Sequence, residues 1–181
     1  MTGKLPYAWG TTQADLDRTY PADTVLDGPV VAMTRAVRVL APAALAYRWL
    51  CQIREAPYSY DLIDNLGRRS PQQLTPGADQ IEVGDRMMIF EVTDVQPGRQ
   101  WTGRTLPGPT RIFGQTAATY AVEPVDDSSC VMVCRLTSAA GGWLGRFRGW
   151  LLGWGDLVMM RKQLLNLKGL AERDAGVLRE V

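Results

Sequence analysis

The chain of 181 residues is long enough for one domain with a sizeable core, and its hydrophobic content of 46% is typical of a globular protein. Its 20 Lys and Arg residues against 19 Asp and Glu give a formal net charge of +1, so no broad attraction to nucleic acid is predicted. The absence of histidine excludes Ser-His and Cys-His nucleophile pairs, histidine general bases and histidine metal ligands.

The first elements are an extension, a strand and a helix. Residues 1–28 are rich in Gly, Pro, Thr and Asp without a sustained period, which predicts an extended segment pinned to the domain by its aromatic residues. Residues 29–42 alternate apolar and other side chains, as a strand does. Pro42 is then well placed to begin a helix with a core-facing stripe of Leu45, Trp49 and Ile53, and Pro57 ends it.

The rest of the chain predicts a meander and a long helix. Residues 58–69 predict a second short helix, capped by Ser59 or Asp61 and ended at Gly67. Four β-rich segments follow, "DRMMIFEVTDV", "RQWTGRTL", "TRIFGQTAATYAVEPV" and "SCVMVCRLTSA", and the short turns between them indicate antiparallel pairing. A helical period runs from about residue 142 to residue 175.

The cysteines and the N-terminus predict a reducing compartment. Cys51, Cys130 and Cys134 are an odd number without a disulfide framework, and they lack the further ligands that a metal site needs. The N-terminus has no apolar signal-peptide core, and no stretch approaches the ~18 to 20 apolar residues that span a bilayer. We therefore expect a cytoplasmic protein without a transmembrane segment, a metal site or a cofactor.

The order of elements resembles the helix-grip fold of the START-like (SRPBCC) superfamily, which includes polyketide cyclase-like and lipid-transfer-like proteins. The stretches "WLCQIREAPYSYDLIDNLGRRSPQQLTPG", "VGDRMMIFEV" and "GDLVMMRKQLLNLKGLAER" are similar to a bacterial branch of that superfamily. The resemblance covers residues 29–176, with residues 1–28 as an extension and 177–181 as a tail. It implies an α+β domain whose curved antiparallel sheet wraps around a long C-terminal helix, with a cavity for an apolar or aromatic ligand between them.

The densest cluster of polar and aromatic side chains follows Pro57. It consists of Tyr58, Tyr60, Asp61, Asp64 and Asn65. In a site, a tyrosine hydroxyl would orient a ligand carbonyl, and a buried Asp61 with a raised pKa would act as an acid or base. In a structural role, the same residues would brace a loop through the neighbouring arginines, and both interpretations remain open.

Single residues of the strands raise the same question. Glu91 is a candidate ligand partner or general base if it faces the cavity, and unremarkable if it faces solvent. Arg35, Arg104 and Arg111 would each need an acidic partner if buried. Tyr120 lies among small residues that leave room either for a ligand or for its own ring.

A stripe of aromatic residues precedes the clean part of the last helix. Trp143, Phe147, Trp150 and Trp154 are spaced by four, three and four residues, among many glycines that weaken a helix by ~1 kcal/mol each. Three interpretations of the stripe remain open. It is a mobile gate beside the cavity, part of the core, or a surface that contacts a membrane, since tryptophan and arginine suit the membrane interface.

Three functional hypotheses follow. The first is binding of a small hydrophobic or aromatic molecule, a lipid, polyketide or similar metabolite, in the internal cavity. Its expected lining is Tyr58, Tyr60, Asp61, Met87, Glu91, Tyr120, Trp150, Trp154 and Met159. The second is a cyclase-like or dehydratase-like enzyme that uses Asp61, Glu91 or Tyr60. The third is a module that docks on a membrane or partner through the stripe from Trp143 to Trp154. Nothing in the sequence indicates a nucleic-acid partner or fixes the oligomeric state.

Overall fold

The computed structural model describes residues 5–60, 67–140 and 142–179, except for the side chains of residues 112–113, 142–149, 152 and 177–179. The helices are α1 (Gln13–Asp17), α2 (Ala22–Val25), α3 (Ala43–Cys51), α4 (Pro107–Phe113) and α5 (Gly142–Arg179). The strands are β1 (Ala8–Trp9), β2 (Val30–Val39), β3 (Arg86–Met87), β4 (Phe90–Gln96), β5 (Gln100–Thr105), β6 (Thr116–Asp126) and β7 (Ser129–Ala139).

The seven strands form one open sheet in the order β1-β2-β7-β6-β5-β4-β3. β1 is parallel to β2, and every other neighbouring pair is antiparallel. The face of the sheet that packs against α3 and α5 is called the inner face, and the opposite face the outer face. The core lies on the inner face, where Trp101 and Met132 of the sheet join Trp49 of α3 and Leu164 and Leu167 of α5.

The α+β class and the long C-terminal helix predicted from the sequence are confirmed, but the extension, predicted to be extended, contains the helices α1 and α2. Alternation places Val37 and Val39 of β2 in the inner core, while Ala36, just before Val37, belongs to a cluster on the outer face. α3 begins after Pro42, and its stripe buries Leu45, Trp49 and Leu50. The last helix is continuous over Gly142–Arg179.

Two of the predicted strands are interrupted. Residues 85–95 form a hairpin of β3 and β4, because Met88 takes a positive φ of 52° and turns the chain. Phe90 and Val92 are consequently buried in the core together with Met87, which an uninterrupted strand would place on the face opposite to Phe90. Residues 110–113, predicted as the start of a strand, form α4 together with the predicted turn before them, because Pro107 occupies the first turn, where its fixed φ suits a helix.

The N-terminal extension packs on the sheet. β1 adds a parallel strand to the edge of β2, and α2 lies on the outer face. There the Ala22 N–H donates to Thr119 Oγ1 over 2.9 Å, and Thr137 Oγ1 donates to the Ala22 carbonyl over 2.9 Å. Tyr20 is buried beside Ala36, so this extension covers a face of the sheet that would otherwise meet solvent.

The short helix predicted over residues 58–69 falls largely on residues 61–66, which lie outside the described part of the chain; residues 58–60 and 67–70 are not helical. Within the described residues, no helix is long and apolar enough to cross a membrane.

Candidate functional site

A row of side chains crosses the inner face of four neighbouring strands. The register pairs Arg35 of β2 with Cys134 of β7, Cys134 with Tyr120 of β6, and Tyr120 with Trp101 of β5. Cys134, Tyr120 and Trp101 all belong to the inner core. The Trp101 and Tyr120 rings stack with centroids 4.5 Å apart. The row therefore places an arginine and a phenol in one line beneath α5, roughly 10 Å apart by strand spacing.

Arg35 joins three elements in the interior. Its side chain is 1% exposed, and its Nη2 lies 2.9 Å from Asp156 Oδ2 of α5. Nη2 also donates to the Gly153 carbonyl over 3.3 Å, and Nη1 donates to the Tyr7 carbonyl over 3.0 Å. The extension, β2 and α5 thus meet at one buried guanidinium, which a nearby carboxylate must neutralise to make its burial tolerable.

The Tyr120 hydroxyl lies in a second polar contact with α5. It donates to Gln163 Oε1 over 2.9 Å, and it lies 3.4 Å from Met160 Sδ. The Gln163 amide donates in turn to the Pro57 carbonyl. Arg35, Tyr120, Asp156 and Gln163 are together called the polar layer, because they are polar groups within an otherwise apolar interface between sheet and helix.

The polar layer is incompletely hydrogen-bonded. Among the described residues, Arg35 Nε and Trp101 Nε1 are buried without an acceptor, and Asp156 Oδ2 makes an ion pair but no aligned hydrogen bond. Most buried polar groups in proteins have a partner, so each exception has a structural or functional cause. Arg35 and Trp101 lie at the two ends of the row on the inner face, and Asp156 lies opposite on α5. Other unmatched buried atoms among the described residues lie away from this row, on Tyr20, Tyr47 and Gln52.

Burial sets the protonation of these groups. Burial outweighs the attraction of Arg35 and raises the pKa of Asp156 to about 6. Burial likewise raises the pKa of Tyr120 well above its ordinary value, with smaller contributions from Cys134 and Asp156. Burial also raises the pKa of Cys134, which keeps the thiol protonated and weakly nucleophilic. Asp156 is therefore the group of this site that exchanges a proton near neutral pH.

The predicted cluster after Pro57 is divided. Tyr58 is 1% exposed, adopts a φ of 55°, and donates its hydroxyl to the Pro71 carbonyl over 2.9 Å. Its own carbonyl accepts from Asn166 of α5 over 2.8 Å, and its ring meets that of Trp49 edge-on. Tyr60 is 39% exposed, and Asp61, Asp64 and Asn65 lie outside the described residues. The observed contacts of Tyr58 hold the loop against α3 and α5.

The other predicted lining residues are scattered. Glu91 points to the outer side, because its neighbours Phe90 and Val92 are in the core, and its carboxylate lies 3.3 Å from exposed Arg104. Met87 is fully buried in the core. Trp150, Trp154 and Met159 of α5 are all exposed. Tyr120 alone of the predicted set is a member of the polar layer.

Sequence reasoning identified Arg35 as a residue that would need an acidic partner, but it missed Asp156 and Gln163. A signal for Asp156 was present, since it is the only acidic residue between residues 142 and 171. Gln163 likewise follows directly on two cations at the edge of the apolar stripe. Their pairing with β2 and β6 depends on the packing of α5 across the sheet.

Two clefts lie at the surface, away from the polar layer. One of about 330 Å³ is lined by Tyr58, Ser70, Asn166 and their neighbours beside α5. The other, of about 390 Å³, lies against the extension and is lined by Arg18, Tyr20, Arg99 and Glu123 among others. Within the described residues, no group of three or more cysteine or acidic side chains could hold a metal ion.

No family model matches the chain, and no curated protein matches its sequence. Its structure is similar to the di-domain aromatase/cyclase StfQ from the steffimycin biosynthetic pathway, with a TM-score of 0.52 and 15% identity over 81% of this chain. The chain spans about half of that protein, covering 52% of its length.

Two single-domain structures match over nearly their whole length. The Zhui aromatase/cyclase from Streptomyces sp. R1128 has a TM-score of 0.50 and 18% identity, over 80% of this chain and 95% of that one. Truncated norcoclaurine synthase from Thalictrum flavum has a TM-score of 0.51 and 13% identity, over 80% of this chain and 95% of that one. These similarities show that the chain has the START-like (SRPBCC) fold.

Proposed function

From the START-like fold and the polar layer, we propose that the protein binds a small hydrophobic or aromatic molecule between the inner face of the sheet and the first half of α5. The apolar body of the ligand lies against the sheet, and a carbonyl or hydroxyl group of the ligand meets Arg35, Asp156 and Tyr120. Ligand sites of this kind combine an apolar lining with a few polar groups that fix orientation.

The observation that carries the proposal is the set of unmatched polar atoms on the inner face. Arg35 Nε and Trp101 Nε1 are donors without acceptors among the described residues. Leaving such a donor unsatisfied costs about 1–3 kcal/mol, which a ligand oxygen would recover. Because the Arg35 guanidinium is charged, we expect a ligand with one polar end and not a plain hydrocarbon.

The neighbouring row of the inner face supports the position of the ligand. Register places Met33, Leu136, Ala118 and Gly103 side by side on β2, β7, β6 and β5. Ala118 and Gly103, at the centre of the sheet, carry one side-chain carbon between them. Phe90 fills the space over Gly103, where an added Cβ would come within 2.8 Å of the Phe90 Cβ, so the small side chain that would face a flat ligand is that of Ala118.

Binding of 1-naphthol and naphthalene, measured by ligand-detected NMR and calorimetry, tests the proposal. We expect 1-naphthol to bind more tightly than naphthalene, because its hydroxyl meets the polar layer. Ala118→Leu should weaken both ligands roughly tenfold or more by filling the row, an effect comparable to the ~1–3 kcal/mol cost of overpacking.

Ala121→Leu is the matched control, since Ala121 lies on the same strand but packs on the outer face with Tyr20. It should cost stability without changing ligand affinity. Should Ala118→Leu fail to fold, Tyr120→Phe provides the test, because it should remove part of the preference for 1-naphthol. Equal affinity of wild type for both ligands, or unchanged binding in Ala118→Leu, would contradict the proposal.

A second candidate function is a cyclase-like or dehydratase-like reaction in the same place. It is favoured by Asp156, whose pKa of about 6 lies close to neutral pH, where a general acid or base works best. In such a reaction the Asp156 carboxylate takes a proton from the carbon beside a ligand carbonyl, and Arg35 and Tyr120 stabilise the resulting enolate oxygen.

Deuterium exchange of the α-protons of 1-indanone, followed by NMR, tests this chemistry without a known substrate. We expect wild type to accelerate exchange above the buffer rate, and Asp156→Asn to return it to the buffer rate. Glu91→Gln should leave it unchanged, because Glu91 lies on the outer side beside Arg104. Exchange that persists in Asp156→Asn would eliminate Asp156 as the base.

A further inference from the structure

The first half of α5 exposes a group of large apolar side chains. Five of the ten large apolar residues that are exposed among the described residues lie within residues 150–159. Four of them, Trp150, Leu151, Trp154 and Val158, follow one another at intervals of one, three and four residues and share one side of the helix. These four residues are called the apolar side of α5, and each is between 42% and 52% exposed.

The N-terminal extension lies beside the apolar side of α5 and leaves it exposed. Pro6 lies against Gly153, where an added Cβ would come within 3.1 Å of its ring. Arg161 lies over the Trp9 ring, with 5.4 Å between the guanidinium carbon and the ring centroid. Leu5, next to Pro6, is 54% exposed and adds a fifth apolar side chain beside the helix.

The charges around the apolar side are of one sign. Between residues 142 and 162 the sequence has four cations, Arg146, Arg148, Arg161 and Lys162, and a single acid, Asp156. Asp156 is turned inward to Arg35, so its charge is neutralised in the interior. Arg161 and Lys162 are exposed at the end of the apolar side. The next acid along the helix is Glu172.

The exposed apolar side chains and the cations beside them together indicate which kind of partner covers this side of α5. A second copy of the chain, paired antiparallel along this half of α5, would bring cations against cations, and like charges across an interface are unfavourable. An anionic lipid surface complements the charge, and tryptophan and arginine side chains bury their apolar parts at a lipid interface while their polar ends stay hydrated. We propose that the apolar side of α5, with Leu5, docks on the surface of an anionic membrane.

Vesicle flotation tests the proposal with vesicles of phosphatidylcholine alone and of equimolar phosphatidylcholine and phosphatidylglycerol. We expect wild type to float with the anionic vesicles and to be released by high salt, since the attraction between charged surfaces is screened. Trp150→Ala with Trp154→Ala should weaken binding roughly tenfold or more. Lys162→Glu should weaken it roughly tenfold, as removal of surface cations does.

The matched control is Leu40→Ala with Val125→Ala, which removes two equally exposed apolar side chains, 57% and 53% exposed, elsewhere on the surface. It should bind vesicles as wild type does. Circular dichroism checks that each variant remains folded, and sedimentation velocity measures self-association. Any of three results would overturn the proposal. They are no flotation of wild type, equal flotation on both kinds of vesicle, and a dimer that dissociates in the tryptophan variant while flotation is unaffected.

Discussion

The Arg35 guanidinium of β2 lies 2.9 Å from the Asp156 carboxylate of α5, on the inner face of the sheet. This ion pair is the polar connection between the edge half of the sheet and the part of α5 where Gly153 and Gly155 flank Trp154. Arg35 also donates to the carbonyl of Gly153. Because the pair is buried and only partly hydrogen-bonded, its charges should contribute strongly to stability, and the first two predictions concern it.

The stability of the protein should depend on the protonation of Asp156. Its pKa is raised to about 6 in the folded protein by burial, against about 3.9 in an unfolded chain. The folded state therefore binds the proton more tightly, and the stabilisation present below about pH 4 is lost as the pH rises through about 6. The difference in free energy of unfolding between wild type and Asp156→Asn should fall by about 3 kcal/mol across that window.

Urea unfolding of both proteins at a series of pH values provides the measurement. Titration of Asp126 does not interfere with this measurement, because hydrogen bonds from Ser129 and Ser128 lower its pKa to about 2. Its contribution is lost only as the pH falls through that value, and it cancels between the two proteins. A free-energy difference that stays nearly flat between pH 4 and pH 6, or that rises with pH below about pH 4, would mean that the pKa of Asp156 is not raised in the folded protein.

Removing only one partner of the Arg35–Asp156 pair should lower the free energy of unfolding strongly, because the other partner keeps its charge in the interior. Arg35→Met leaves Asp156 in the interior without a counter-charge, and we expect a loss of about 3–5 kcal/mol. Arg35→Met combined with Asp156→Leu should cost clearly less than the two single changes added together. The coupling energy from a double-mutant cycle in urea should exceed about 1.5 kcal/mol, whereas the exposed pair Glu91 and Arg104 should give about 0.5 kcal/mol or less. Similar coupling for the two pairs would show that the interior pair is solvated.

Tyr120 should contribute through its hydroxyl as well as its ring. Tyr120→Phe keeps the stack on Trp101 but leaves Gln163 Oε1 without its donor in the interior. We expect a loss of about 1–3 kcal/mol in urea unfolding. Gln163→Met should also cost stability, because it removes the donor to the Pro57 carbonyl, and Gln163→Met combined with Tyr120→Phe should cost less than the two single changes added together. A Tyr120→Phe protein as stable as wild type would indicate that Gln163 finds another donor.

The close packing of the N-terminal extension should make Gly10 irreplaceable. Gly10 has a φ of 67°, and an added Cβ would overlap the carbonyl oxygen of Ala36 in β2. Gly10→Ala should therefore destabilise the protein by about 3 kcal/mol or more, because it adds a backbone clash to the strain of a positive φ. Gly28→Ala is the matched control, since Gly28 has a φ of 80° and open space around its Cβ position. Its cost should be only about 1 kcal/mol. Equal melting temperatures for the two variants would show that β1 does not pack on β2 in solution.

Much of the fold could be predicted from local pattern, and the failures have local causes. The alternation of β7 predicted its bounds, and Pro42 marked the start of α3. The β3–β4 hairpin was missed because Met88, and not a glycine, takes the left-handed conformation at the turn. α4 was missed because the prolines before residue 110 are as typical of a turn as of a helix start.

The sequence by itself determined the order of β2, α3, the antiparallel meander and α5, because the periods of two and 3.6 residues and the proline positions are properties of neighbouring residues. It also determined that no histidine takes part in any chemistry. Only the tertiary structure decided which polar groups share the interior. Arg35, Tyr120 and Asp156 lie on separate elements far apart in the chain, and they meet because strand register and the packing of α5 bring them to one face. The same packing turned Glu91 outward, since a single turn at Met88 sets which side of β4 faces the core.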